Sequence, residues 1–139
     1  MSAPATVLIV EDEFAIADLL GMALTDEGYH VVKAANGRQA LERLAENSPD
    51  LVITDFMMPV LDGAGLVQAM RQSEGQREVP IIIMSSMPEA NVHARIDRYA
   101  AFVGKPFQIA TLLQLIATIL HLARPDSRDG GHRTICSKS

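Results

Sequence analysis

Tryptophan is absent from this chain, and aromatic residues supply only 4% of its 139 positions. A platform that stacks the bases of single-stranded nucleic acid is therefore not expected. Cysteine is as scarce. Cys136 stands alone, which excludes an internal disulfide and makes the cytoplasm the expected location. Positive charge is in deficit, with 12 Lys and Arg against 17 Asp and Glu and a formal net charge of -5. Such a chain lacks the basic face that neutralises backbone phosphates, so direct DNA binding is not expected. No apolar run is long enough to span a bilayer, and Met1 to Thr6 carries neither the basic patch nor the apolar core of a signal peptide. Membrane insertion is accordingly not expected. His30, His93, His121 and His132 are scattered, and no His or Cys group has zinc-ligand spacing.

Hydrophobic residues make up 48% of the chain, enough for the packed core of one domain. Short apolar runs alternate with helical patterns five times, the signature of repeated βα units on a parallel sheet. The first helix is predicted from about Glu13 to Asp26, with Ile16, Ala17, Leu20, Ala23 and Leu24 on one face and Gly28 as a left-handed cap. Tyr29 to Ala34 reads as a strand, Asn36-Gly37 as a turn, and Arg38 to Glu46 as the second helix. Ser48-Pro49-Asp50 breaks that helix. A third helix is expected over Gly63 to Ser73, with Leu66, Val67 and Met70 inward. A weaker fourth is expected from Glu89 to about Tyr99, and a long fifth from Gln108 to about Ala123. In the fifth, Leu112, Ile116, Ile119 and Leu120 should face the core, and Leu115 with Leu122 should form a second stripe. Residues 124–139, rich in Gly, Ser and charge, read as a flexible tail with no core of its own, and no further domain is expected.

Four of the apolar runs end in residues that carry chemistry. Val7 to Val10 leads into Glu11-Asp12, Leu51 to Thr54 into Asp55, Ile81 to Met84 into Ser85, and Ala101 to Gly104 into Lys105. A parallel sheet brings all four strand ends to one edge. Each residue alone has a plainer reading: adjacent acids as a polar turn, Asp55 as a loop cap, Ser85 as a loop hydroxyl, Lys105 as a surface lysine. Together they specify a pocket. Carboxylates about 5 Å apart repel by roughly 3 kcal/mol per pair at an effective dielectric near 20, so a cation is needed among them. Hard oxygen donors favour Mg²⁺, with Mn²⁺ as the alternative. A free oxygen of Asp55 can attack phosphorus to give an acyl phosphate, the Lys105 ammonium can offset the charge that builds up, and the Ser85 hydroxyl can sense the phosphoryl oxygen. Gly63-Ala64-Gly65 lacks the spacing of a phosphate loop. Met57 stands where aspartyl-phosphate hydrolases of the DxD type carry their second acid, which disfavours that class. The methionines at 57, 58, 84 and 87 read most simply as fillers of irregular gaps.

Glu11-Asp12, Thr54-Asp55-Phe56-Met57-Met58-Pro59, Leu61-Asp62-Gly63, Pro80 to Ser85 and Lys105-Pro106-Phe107, in that order, resemble the receiver domain of two-component response regulators. The resemblance covers residues 5–123, the expected receiver domain. It implies a flavodoxin-like (βα)5 fold, a doubly wound sandwich around a five-stranded parallel sheet with its site at the strands' C-terminal ends. It further implies Asp55 as phosphoacceptor, and Glu11, Asp12, Asp55 and the backbone carbonyl of Met57 as Mg²⁺ ligands. Ser85 is implied as the switch hydroxyl, Lys105 as the site lysine, Phe102 as the rotating aromatic, and a cis peptide before Pro106. The partners implied are a histidine kinase or histidine phosphotransferase and an unknown downstream protein, with a phosphorylation-linked homodimer compatible with the type. The chain would be a signalling protein rather than an enzyme with a separate substrate. A pseudo-receiver serving as a constitutive binding module is the competing reading, and the intact acid-lysine set speaks against it. The chain departs from the pattern between Ser85 and Lys105. That stretch is about two residues short, Ser86 replaces a small alanine, and Arg98-Tyr99-Ala100-Ala101 stands in place of a glycine turn. Phe14, Leu19 and Met22 fall off the core face of the first helix and offer a surface for the phosphodonor.

Overall fold

The computed structural model describes residues 4–96 and 98–123; the tail at 124–139 lies outside the described residues. The elements run β1 (Thr6–Val10), α1 (Phe14–Asp26), β2 (His30–Ala34), α2 (Gly37–Glu46), β3 (Leu51–Asp55), α3 (Gly63–Arg71), β4 (Ile81–Ser85), α4 (Glu89–His93), β5 (Ala101–Gly104) and α5 (Ile109–Ala123). All strand pairs are parallel, in the order β2-β1-β3-β4-β5.

Alternation along the strands builds both layers of core at once. Leu8, Val10, Val52, Ile81 and Ile83 point to the face covered by α2, α3 and α4. Val7, Ile9, Leu51, Ile53, Ile82 and Met84 point to the face covered by α1 and α5. Successive side chains of a strand project to opposite faces, so a strand buried on both sides needs an unbroken apolar run. β3 and β4 meet that requirement at every position. β2 lies at the sheet edge and is only partly buried, which is why it tolerates His30 and Lys33.

Local chemistry sets the boundaries. Asn36 accepts from the Gln39 N–H to cap α2, and Asp62 accepts from the Gly65 N–H to cap α3. Gly28, at φ 95°, takes the left-handed position after α1. The predicted elements therefore recur with ends shifted by a residue or two. Leu66, Val67 and Met70 of α3 are buried as expected.

Three expectations are corrected. The fourth helix does not reach Tyr99: α4 is five residues long and ends at His93. The cause is reach. A helix advances about 1.5 Å per residue and an extended chain about 3.3 Å, so a shortened segment must unwind to arrive at the head of β5. Ile96 and Tyr99 still join the core from this non-helical stretch, and the Ala100 N–H donates to the Ile81 carbonyl. In α5 the second stripe does not form, because Leu115 is partly buried against the core while Leu122 is exposed. Met57 fills no gap, since it too is exposed, whereas Met84 is buried and Met58 and Met87 pack against the core.

Candidate active site at the strand ends

The strand order reverses between β1 and β3, and open α/β sheets form their binding crevice at such a point. Glu11 and Asp12 follow β1 there, and Asp55 ends β3. One carboxylate oxygen from each lies within 4.8 Å of the others. Glu11 and Asp55 are buried, whereas Asp12 is exposed. From the far side, Lys105 extends across β4. Its Nζ stands 2.8 Å from Asp55 Oδ1 and 3.1 Å from Glu11 Oε1.

The backbone holds these groups in place. The Lys105 N–H donates to the Ser85 carbonyl and the Phe56 N–H to the Met84 carbonyl, which ties the ends of β3, β4 and β5 together. The Lys105–Pro106 peptide is cis, as the resemblance implied. Gly63 lies against Asp55: a Cβ there would sit 2.6 Å from the Asp55 carbonyl oxygen. The Glu13 N–H donates to Glu11 Oε2 and fixes the other half of that carboxylate.

Electrostatics follow from this burial. Burial pushes the Glu11 carboxyl up to about 7 against the pull of the Glu13 N–H, with the Asp55 charge adding and Lys105 opposing. Burial also raises Asp55, although Lys105 works to lower it. For Lys105, burial alone would lower the ammonium, but its contacts with Asp55 and Glu11 win and raise it. Among the described residues, three carboxylates thus face a single ammonium. Their donors are all oxygen, and the surplus negative charge fits a hard divalent cation rather than a soft one.

Of the predicted set, Glu11, Asp12, Asp55 and Lys105 are brought together. Ser85 is buried at the end of β4, and its hydroxyl accepts from the Met87 N–H at 2.9 Å. Phe102, on β5, is partly buried against the core on the α4 face. The Glu11–Lys105 contact went unread in the sequence. The two residues are 94 positions apart, and only the strand order reveals that one long side chain can reach both acids. Arg95 was also missed. It lies over the Phe56 ring, 5.5 Å from its centroid, and reaches Asp62 at 3.3 Å.

Comparison with known proteins agrees with this geometry. The family model described as the response regulator receiver domain matches residues 7–117. The response regulator MprA of Mycolicibacterium vanbaalenii is 33% identical over 132 residues, covering 91% of this chain and 55% of that protein. The chain spans about half the length of the curated relatives it matches. Among solved structures, the signal receiver domain of a histidine kinase from Syntrophus aciditrophicus superposes with a TM-score of 0.79 at 29% identity, covering 92% of this chain and 99% of that one. The receiver domain of a Pseudomonas aeruginosa sensor histidine kinase, solved with a magnesium ion coordinated in the active site cleft, gives a TM-score of 0.77 at 27% identity, covering 85% and 98%. The chain belongs to the response regulator receiver domain family of two-component signalling proteins.

Proposed function

We propose that Asp55 is the phosphoacceptor, taking a phosphoryl group from a histidine kinase or histidine phosphotransferase. The observation that carries this reading is the Lys105 ammonium held 2.8 Å from Asp55 and 3.1 Å from Glu11. A carboxylate oxygen of Asp55 attacks the phosphorus, an O–P bond forms, the P–N bond to the donor histidine breaks, and the ring nitrogen keeps the electron pair. Lys105 then follows the negative charge onto the transferring group. Glu11, Asp12, Asp55 and the Met57 carbonyl would hold Mg²⁺, with Mn²⁺ as a substitute. The bound ion supplies charge neutralisation at the phosphoryl oxygens. The protein supplies these groups to its own phosphorylation and dephosphorylation.

Ser85 is the sensor in this reading. Its hydroxyl, which accepts from the Met87 N–H, donates its own O–H to a phosphoryl oxygen, and Phe102 follows as the switch aromatic. Phe14, Leu19 and Met22 are all exposed on α1 and offer the docking face for the phosphodonor. Signal output is by docking a downstream protein, by a phosphorylation-linked homodimer or by relaying the phosphoryl group, in the cytoplasm. No helix among the described residues is long and apolar enough to cross a membrane. The test is incubation with acetyl phosphate with and without Mg²⁺. The wild type should gain one phosphoryl group only with the metal, and Asp55→Asn should gain none. Equal labelling of both would defeat the assignment.

A further inference from the structure

The shortened α4 leaves a groove of about 520 Å³ between α3 and the chain that follows α4. Its chemistry runs against that of the whole protein. The chain carries a net charge of -5, yet Arg71, Arg95 and Arg98 converge on this groove, with Gln68 and Gln72 beside them. Asp62 is the one carboxylate among the described residues that line it. Its Oδ1 is already used on the Gly65 N–H, and its Oδ2 meets Arg95 at 3.3 Å, long for a charge-assisted bond.

The three arginines are not equivalent. Arg71 is a staple: Nη1 donates to the carbonyls of Arg77 and Val79, and Nη2 donates to the carbonyl of Arg98. Its Nε is buried without a hydrogen-bond partner among the described residues. Burial and then the nearby charge of Arg98 lower its guanidinium, with Glu78 offsetting part of that. Arg95 and Arg98 are exposed; among the described residues the Arg98 side chain makes no hydrogen bond, and Arg95 spends only Nη2 on Asp62, so the Arg98 fork and the remaining Arg95 donors are open to a ligand. Two guanidinium forks and two carboxamides offer more donors than a single carboxylate can accept. A phosphate, with three or more acceptor oxygens, matches them. The volume is that of a small-molecule site.

We infer that the groove between α3 and the post-α4 segment binds a small phosphate-bearing molecule through Arg95, Arg98, Gln68 and Gln72, with Arg71 fixing its wall. This site is separate from the strand-end pocket and stands on its own geometry. The ligand lies within reach of Arg95, whose guanidinium rests on the ring of Phe56, the residue after Asp55.

The test is NMR titration of the ¹⁵N-labelled full chain in EDTA at physiological salt. Inorganic pyrophosphate, adenosine monophosphate, citrate and a hexaglutamate peptide serve as separate probes. Saturable shifts of the Gln68 and Gln72 side-chain amides and of the Arg95 and Arg98 Nε–H groups are expected with pyrophosphate or adenosine monophosphate. Binding of the nucleotide alone would identify a nucleoside phosphate within the same class. Arg98→Ala should weaken that binding about tenfold, the effect of losing one charge-assisted hydrogen bond. Gln72→Leu, which removes donors but leaves the Arg71 staple intact, should weaken it as well. Absence of saturable shifts, shifts confined to Glu11, Asp12 and Lys105, or binding of citrate or hexaglutamate alone would each overturn the inference. So would affinity unchanged in both variants.

Discussion

Replacing Asp55 with Asn should stabilise the metal-free protein. Asp55 gains from Lys105 at 2.8 Å, about 6 kcal/mol at an effective dielectric of 20. It loses to Glu11 and Asp12, each within 4.8 Å, at least about 7 kcal/mol together by the same relation before screening. The exposed Asp12 contributes the smaller share because water screens it. Coulomb interactions therefore nearly cancel, and the cost of burying the charge decides the sign. The raised Asp55 carboxyl agrees, since its ionised form is disfavoured in the fold. Asparagine removes the charge and keeps an oxygen for Lys105. A gain of about 1–2 kcal/mol, or roughly 4–8 °C in Tm, is expected for a domain of this size. Thermal unfolding at pH 8 in EDTA measures it. Saturating Mg²⁺ should reverse the order: at a hundred times Kd the wild type gains about 2.7 kcal/mol, while Asp55→Asn, lacking one ligand, gains less. A lower Tm for Asp55→Asn in EDTA would refute the reasoning, as would a wild-type Tm indifferent to Mg²⁺.

Other outcomes follow from the same geometry. Glu11, raised from 4.5 to about 7 by burial, holds its proton more tightly folded than unfolded. Its contribution is thus full below pH 4.5 and lost as pH rises through 7, a fall of about 3 kcal/mol in the metal-free protein. Urea titrations in EDTA at pH 5 and pH 8 should show the fall, and Glu11→Gln should flatten it. Gly63→Ala forces a Cβ to within 2.6 Å of the Asp55 carbonyl. Destabilisation by about 1–3 kcal/mol is expected, with slower acetyl phosphate labelling because the acceptor strand end shifts. Leu19→Asp should slow phosphotransfer from the cognate histidine protein about tenfold while leaving acetyl phosphate labelling intact. Met57 and Met87 give no polar group to orient an attacking water, so the phosphorylated form should be long-lived. Decay within seconds would contradict that.

The sheet was legible because the strands buried on both faces must be apolar throughout, as β3 and β4 are. Their polar terminators, Asp55 and Ser85, then marked the site edge. Capping residues made the helix starts readable, Asn36 and Asp62 above all. The α4 boundary was not readable. Its residues hold a weak helical pattern, and what stops the helix is the distance left to β5, a property of the whole sheet. The bridging reach of Lys105 and the arginine groove were hidden for the same reason. Each joins residues far apart in the chain through contacts that no local pattern encodes.

The central claim is that Asp55 carries the phosphoryl group. Acyl phosphates are reduced by borohydride to the alcohol, so trapping the protein after Mg²⁺-dependent phosphorylation leaves a mark at the acceptor. Peptide mass mapping should find homoserine at position 55 and nowhere else. Homoserine at Asp12, or a reduced Glu11, would contradict the account, as would phosphorylated protein that borohydride leaves unmarked.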